Sequence, residues 1–196
     1  MKKGTIVLLA VLGVVVFIGL WFAGAYNGLV RLDEGVNQAW AQVENVYQRR
    51  LDLVPNLVET VKGYAAHEQE TFIAVTEARS RAAGTISPDV ITDPNKFAAF
   101  QESQAALSSA LSRLMVVVEK YPDLKANQNF LALQAQLEGT ENRIAVERGR
   151  YNEAAQIFNT AFRQFPTVMI AGMFGFKSKE YFKAEAGASV APKVKF

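Results

Sequence analysis

The chain has 196 residues, of which 50% are hydrophobic and 20% are charged, with one histidine and no cysteine. That length is sufficient for one domain with its own hydrophobic core. The lack of cysteine excludes disulfide scaffolds, zinc ribbons, iron–sulfur clusters and thiol nucleophiles. Lys2 and Lys3, two of the 21 basic residues, precede residue 26 and all 19 acidic residues follow it, so residues 26–196 are formally neutral. Because nucleic-acid binders present a basic face, nucleic acid is not expected as a partner.

Residues 5–25 form an uncharged, apolar run behind a stub of residues 1–4. As a helix at about 1.5 Å per residue, the run is roughly 30 Å long, which matches the hydrocarbon core of a bilayer. We therefore predict a single transmembrane helix over 5–25, with the lipid bilayer as a partner. The side chains predicted to anchor it are Ile6, Leu9, Val15, Phe17, Leu20 and Trp21.

The alternative for this run is a cleaved signal peptide, since Ala23-Gly24-Ala25 has the small-x-small form of a cleavage site. The run is longer than a signal core, and bulky Trp21 and Phe22 crowd the site, so an uncleaved anchor is favoured. Lys2 and Lys3 precede the run, whereas Arg31 is the only basic residue within about 20 positions after it. The positive-inside rule thus predicts a cytoplasmic amino terminus and an extracytoplasmic domain at the cell (inner) membrane.

Residues 26–165 are predicted to form an all-α, up-and-down antiparallel bundle of four long amphipathic helices. The first would run over about 26–50, with Arg49 and Arg50 at its negative end, and the second over about 53–83. Asp52 can cap this second helix with Pro55 in its first turn, so a break is predicted there. The alternative is one long helix kinked at Pro55.

The second half of the bundle is delimited by prolines. A loop over 84–95 ends in Asp93-Pro94, which has the pattern of a helix cap and first helical residue. Pro122 ends the third helix and Pro166 closes the fourth.

Residues 166–196 form an apolar and basic C-terminal segment that the up-and-down topology returns to the bilayer. Residues 167–176 are too short to span a membrane, and the lysines that follow alternate with aromatic residues, as in interfacial segments. Two alternatives are that the segment packs on the bundle or contacts a neighbouring copy. The candidate interfacial or self-association residues are Met169, Ile170, Met173, Phe174, Phe176, Tyr181 and Phe182.

The sequence contains no recognisable catalytic or metal-binding motif. A di-iron bundle needs a Glu-x-x-His motif in two helices, but His67 is the only histidine and Tyr64 stands three residues before it. Nucleophile elbows and glycine-rich phosphate loops are also absent from the sequence. A hydrolase using Glu138 or Glu141 with Arg143 is the weaker alternative, and buried ion pairs fixing helix register explain these residues as well. No catalytic residue, metal or cofactor is therefore assigned, and the protein is predicted not to be an enzyme.

Several long motifs make the chain similar to a known family. They include Tyr26-Asn27-x-Leu29-Val30, Arg49-Arg50-x-Asp52-Leu53-Val54-Pro55-Asn56-Leu57-Val58, Leu137-Glu138-Gly139-Thr140-Glu141-Asn142-Arg143-Ile144-Ala145, Tyr151-Asn152 and Phe174-Gly175-Phe176. With these motifs the chain resembles the LemA family of bacterial membrane proteins over nearly its whole length. The resemblance implies a helical bundle behind one transmembrane helix and implies no reaction. Some descriptions of that family place the short amino terminus outside the cell, opposite to the orientation that the lysines predict.

These features predict a membrane-anchored scaffold that assembles with copies of itself and organises or shapes the bilayer. An anchor, a long helical domain without catalytic motifs and an apolar C-terminal segment are typical of such a role. The alternative is an adaptor that presents a membrane protein partner, such as a protease or a sensor.

Overall fold

The computed structural model describes residues 3–183 and confirms the all-α fold class. Within that range the chain forms six α-helices, one 3₁₀ turn and no β-strand. The elements are α1 (Lys3–Lys62), α2 (Gln69–Gly84), the 3₁₀ turn Pro88–Thr92, α3 (Pro94–Val118), α4 (Pro122–Lys125), α5 (Gln128–Arg163) and α6 (Thr167–Met173). Part of the predicted stub and residues 184–196 of the C-terminal segment lie outside the described residues.

Helix α1 is continuous over 60 residues, which is about 90 Å. The predicted break at Asp52 is therefore wrong, and Pro55 lies inside the helix. Proline has no N–H, so the carbonyl of Leu51 loses its usual helical donor. Arg79 of α2 replaces that donor, because its Nε donates to the Leu51 carbonyl at 2.8 Å.

The continuity of α1 changes the elements around it. Arg49 and Arg50 were predicted at the negative end of a helix, but they lie inside α1, more than three turns before it ends at Lys62. Helix α2 is shorter than the predicted second helix, because the chain turns only after Lys62 and α2 begins at Gln69. The predicted start of α3 is confirmed: the Asp93 side chain accepts from the backbone N–H of Asn95 and Lys96.

Helices α1 and α5 run antiparallel along most of the bundle, and the core between the helices falls into two clusters. The upper cluster, farther from the apolar end of α1, contains Leu51, Leu57, Val61, Phe72, Leu107, Leu114 and Phe130. The lower cluster contains Leu29, Val36, Trp40, Phe97, Phe100, Tyr151, Phe158, Ile170 and Phe182. Helix α2 contributes only to the upper cluster, so α6, the 3₁₀ turn and the chain after α6 complete the lower one.

The amino-terminal part of α1, up to residue 21, packs against no other element. Residues 4–21 are exposed around the whole helix circumference. Among the described residues, α1 is the one helix long and apolar enough to cross a membrane. A helix that is apolar on every side and bare of protein is typical of a membrane span.

Candidate functional site

A patch of exposed apolar side chains lies where α6 meets α1. The Phe174 ring lies 4.6 Å from the Tyr26 ring and 5.9 Å from the Phe22 ring, measured between centroids. Since Phe22 and Tyr26 stand at the end of the apolar run, α6 lies level with that end. We call this patch the base. Its exposed members are Phe165, Val168, Met169, Met173 and Phe174.

The structure separates the seven predicted interfacial or self-association residues into two groups. Four of them are exposed, namely Met169, Met173, Phe174 and Tyr181. Ile170 and Phe182 are core residues, and Phe176 packs partly buried against the rings of Tyr26 and Phe158. For these three the assignment to an outward surface is corrected. Their side chains gain more by burial in the bundle, and packing on the bundle is one of the two alternatives that the sequence left open.

Residues 176–183, which we call the strap, run along α5 outside any helix. The Asn159 side chain donates to the Lys179 carbonyl (2.9 Å) and accepts from the Lys179 N–H (2.8 Å). Asn152 forms the same pair of bonds with Phe182, both at 2.9 Å. Seven helical residues rise about 10.5 Å and three extended residues rise about 10 Å. The two asparagines therefore match the spacing of the strap backbone.

Three further contacts fix the strap. The Tyr151 hydroxyl donates to the Glu180 carbonyl at 2.8 Å, and the Glu180 N–H donates to the Ile91 carbonyl at 2.9 Å. Buried Lys179 pairs with Asp33 at 2.7 Å, which joins the strap to α1. Burial raises the pKa of Tyr151 above its usual value, so its hydroxyl keeps its proton and donates throughout the physiological pH range.

Arg50 is buried between three helices, with only 2% of its surface exposed. Its guanidinium donates from α1 to Ser108 of α3 (3.1 Å), to Glu141 of α5 (3.0 Å) and to the Gln104 side chain. Sequence reasoning missed this role. The signal was present, because Arg50 falls on the apolar stripe formed by Val43, Tyr47 and Val54.

Beside Arg50 lies a cleft of about 410 Å³. Its lining includes Tyr47 and Arg50 from α1, Gln101, Gln104 and Ser108 from α3, Glu141, Ile144 and Arg148 from α5, and Phe182 and Lys183 from the strap. Burial raises the pKa of Tyr47, although the nearby charges of Arg148 and Arg50 oppose that shift. The hydroxyl is thus neutral at physiological pH.

The residues considered for hydrolysis, Glu138, Glu141 and Arg143, have different surroundings. Glu141 bonds to Arg50, whereas Glu138 and Arg143 are exposed. This arrangement fits the alternative of an ion pair that fixes helix register. His67 is exposed, and residues 3–183 contain no group of three or more His, Asp or Glu side chains placed to hold a metal ion.

Residues 39–196 match the model of the LemA family. Magnetosome protein MamQ 2 of Paramagnetospirillum magneticum is 29% identical over 195 residues, covering 91% of this chain and 71% of that protein. Magnetosome protein MamQ of Magnetospirillum gryphiswaldense is 28% identical over 174 residues, covering 80% and 64%. Protein LemA of Metamycoplasma hominis is 27% identical over 150 residues, covering 76% and 65%. With its motifs, its helical fold and this match over most of its length, the chain belongs to the LemA family.

Proposed function

We propose that this protein is a non-enzymatic scaffold, anchored in the membrane by residues 5–25 and resting its base on the lipid surface. Copies of the scaffold assemble through the helical domain and the C-terminal segment, and so organise or shape the bilayer. The observation that supports this most directly is the position of the base, which lies beside the end of the predicted anchor. Neither the family description nor the relatives' names are those of an enzyme, which supports a non-enzymatic role.

The base has the properties of a membrane-contacting surface. Its side chains are large and apolar, and Met173 and Phe165 are 72% and 81% exposed. Five large apolar side chains exposed within ten residues of chain are unfavourable in water, and such clusters mark sites of membrane or protein contact. Helix α6 has seven residues, far too few to span a bilayer, so it would lie along the interface.

The continuity of α1 supports the same proposal. The anchor and the first helix of the bundle are one helix, with no loop between them. Rings of Phe22 and Tyr26 on α1 also contact Phe174 after α6. The base is therefore held at one height relative to the anchor, and membrane insertion of residues 5–25 would bring it to the lipid headgroups.

Single-cysteine labelling of the full chain tests the contact with lipid, because the natural sequence has no cysteine. An environment-sensitive fluorophore is attached to Met169→Cys at the base or, as the matched control, to Val116→Cys, which is also exposed but near the far end of α3. In liposomes the Met169→Cys label is expected to shift to the blue and to be quenched by lipids carrying a shallow spin label. The control label is expected to report water. A water-like spectrum at both positions would contradict the proposal.

A further inference from the structure

The last described residues of the strap, Phe182 and Lys183, line the cleft beside Arg50. The Phe182 side chain packs against Trp40, Phe97, Phe100 and Tyr151, which fills the space between α3 and α5 in the lower cluster. The next residue, Lys183, already lines the cleft. The groove that holds an extended chain at Lys179–Phe182 therefore continues upward into a cavity of about 410 Å³, within the range of ligand pockets.

The cleft carries a surplus of positive charge. Arg50, Arg148 and Lys183 line it with Glu141 as the one acidic residue, a formal charge of +2 in a domain that is neutral as a whole. Within residues 3–183 the buried Arg50 guanidinium pairs with one carboxylate, that of Glu141, whose side chain is 43% exposed and thus partly screened by water. Since Glu141 already pairs with Arg50, the positive charge that remains for a bound anion to neutralise is that of Arg148 and Lys183.

Arg148 is positioned to receive such an anion. Its guanidinium lies 4.6 Å from the centroid of the Phe182 ring and donates one bond, of 3.2 Å, to the Lys183 carbonyl. A guanidinium has five N–H donors in a planar fork, so donors remain for a carboxylate in bidentate geometry. The contact with the Phe182 ring and the bond to the Lys183 carbonyl hold the guanidinium in place before any ligand arrives, which lowers the entropic cost of binding.

We propose that this cleft binds an extended acidic segment of a partner protein, with a carboxylate held between Arg148 and Lys183 next to Arg50. A peptide is favoured over a compact anion because the same groove already holds the strap as an extended chain. The Gln101 side chain on the α3 wall carries the same amide group as the asparagines of α5 and can bond a peptide backbone as they do lower down. The site is separate from the base, so it does not depend on the membrane contact proposed above.

The test uses the full chain in lipid nanodiscs and a fluorescent octapeptide of alternating Glu and Ala, with alternating Gln and Ala as the neutral counterpart. Fluorescence anisotropy is expected to show that the acidic peptide binds and that the neutral peptide binds with an affinity at least about tenfold lower. Binding should weaken at high salt. Acetate and inorganic phosphate serve as competitors, and displacement of the peptide by either at equal concentration would overturn the assignment to a peptide.

Three variants and one matched control locate the site. Arg148→Gln and Lys183→Gln are each expected to weaken binding about tenfold, whereas Arg150→Gln, which removes an exposed arginine that bonds Glu147 on the same helix, leaves it unchanged. Glu141→Gln removes the competing negative charge but keeps an acceptor for Arg50, so it is expected to strengthen binding. Equal affinity in all of them would overturn the proposal. The proposal would also be overturned if the peptide bound a chain truncated after Lys183 but not the full chain, because the natural occupant of the cleft would then be the chain's own residues 184–196.

Discussion

The guanidinium of Arg50 joins three helices at one point and decides their mutual register. It reaches from α1 to Gln104 and Ser108 on α3 and to Glu141 on α5. The Arg50 Cζ also lies 5.1 Å from the centroid of the Tyr47 ring, a cation–π contact that helps to hold the side chain in place. A buried cation with several specific partners tolerates little displacement of any of them, since each lost bond leaves a buried polar group unpaired.

At this residue scale, we predict that Arg50→Ala destabilises the fold by about 3 kcal/mol, because it leaves the Gln104 side chain without its partner and opens a cavity. Arg49→Ala changes an exposed neighbour in the same helical turn and is expected to stay within about 0.5 kcal/mol of the natural chain. Chemical denaturation in mild detergent, followed by circular dichroism, measures both. Equal losses for the two variants would show that the Arg50 bonds contribute nothing.

At the scale of elements, α1 owes its continuity to a contact from another helix. Pro55 removes one backbone donor and disfavours helical conformation in the residues that precede it. The Arg79 Nε supplies the missing bond to the Leu51 carbonyl. The strap depends on tertiary contacts in the same way, because its extended backbone is bonded by Asn152 and Asn159 and not by a neighbouring strand.

A double-mutant cycle tests the role of Arg79. Arg79→Met alone is expected to cost about 1–3 kcal/mol, since it leaves the Leu51 carbonyl unsatisfied. In a Pro55→Ala background the restored backbone N–H bonds that carbonyl, so the cost of Arg79→Met should fall by at least about 1 kcal/mol. Arg81→Met, at an exposed position on α2, is the matched control and is expected to be neutral in both backgrounds. Equal costs of Arg79→Met with and without Pro55 would contradict the role.

At the scale of the whole molecule, the outer face of α5 is the surface best suited to contact a second copy. Large apolar residues at Leu131, Val146 and Ile157 are each about half exposed. They fall within an arc of about 80° at 100° per residue, opposite the side that α5 buries. The neutral charge of residues 26–196 also allows like copies to approach closely.

If copies assemble as proposed, Val146→Cys in the full chain is expected to form disulfide-linked dimers under mild oxidation in membranes. Asn45→Cys, exposed on α1, is the matched control and should remain uncrosslinked. Direct imaging of the same membranes should show assemblies that are lost when a charge is introduced by Val146→Asp. Monomers by imaging, together with crosslinking no greater than that of the control, would contradict self-assembly and favour the adaptor role.

Much of this architecture follows from the order of residues alone. The apolar run at 5–25, the 3.6-residue periodicity of the later helices and the Asp93-Pro94 cap are local signals. They predicted the helical class, the candidate membrane span and the start of α3, because each depends on neighbours along the chain.

Tertiary structure alone decided the features that depend on distant partners. Whether Pro55 breaks a helix depends on a donor 24 positions later, Arg79. The position of Arg50 depends on partners that lie on α3 and α5. The sequence was compatible with Phe182 in lipid or in the core, and the bonds from Asn152 and Asn159 to the strap place it in the core. A local pattern states which groups need a partner; only the packing of the helices supplies that partner and so settles which conformation has the lower free energy.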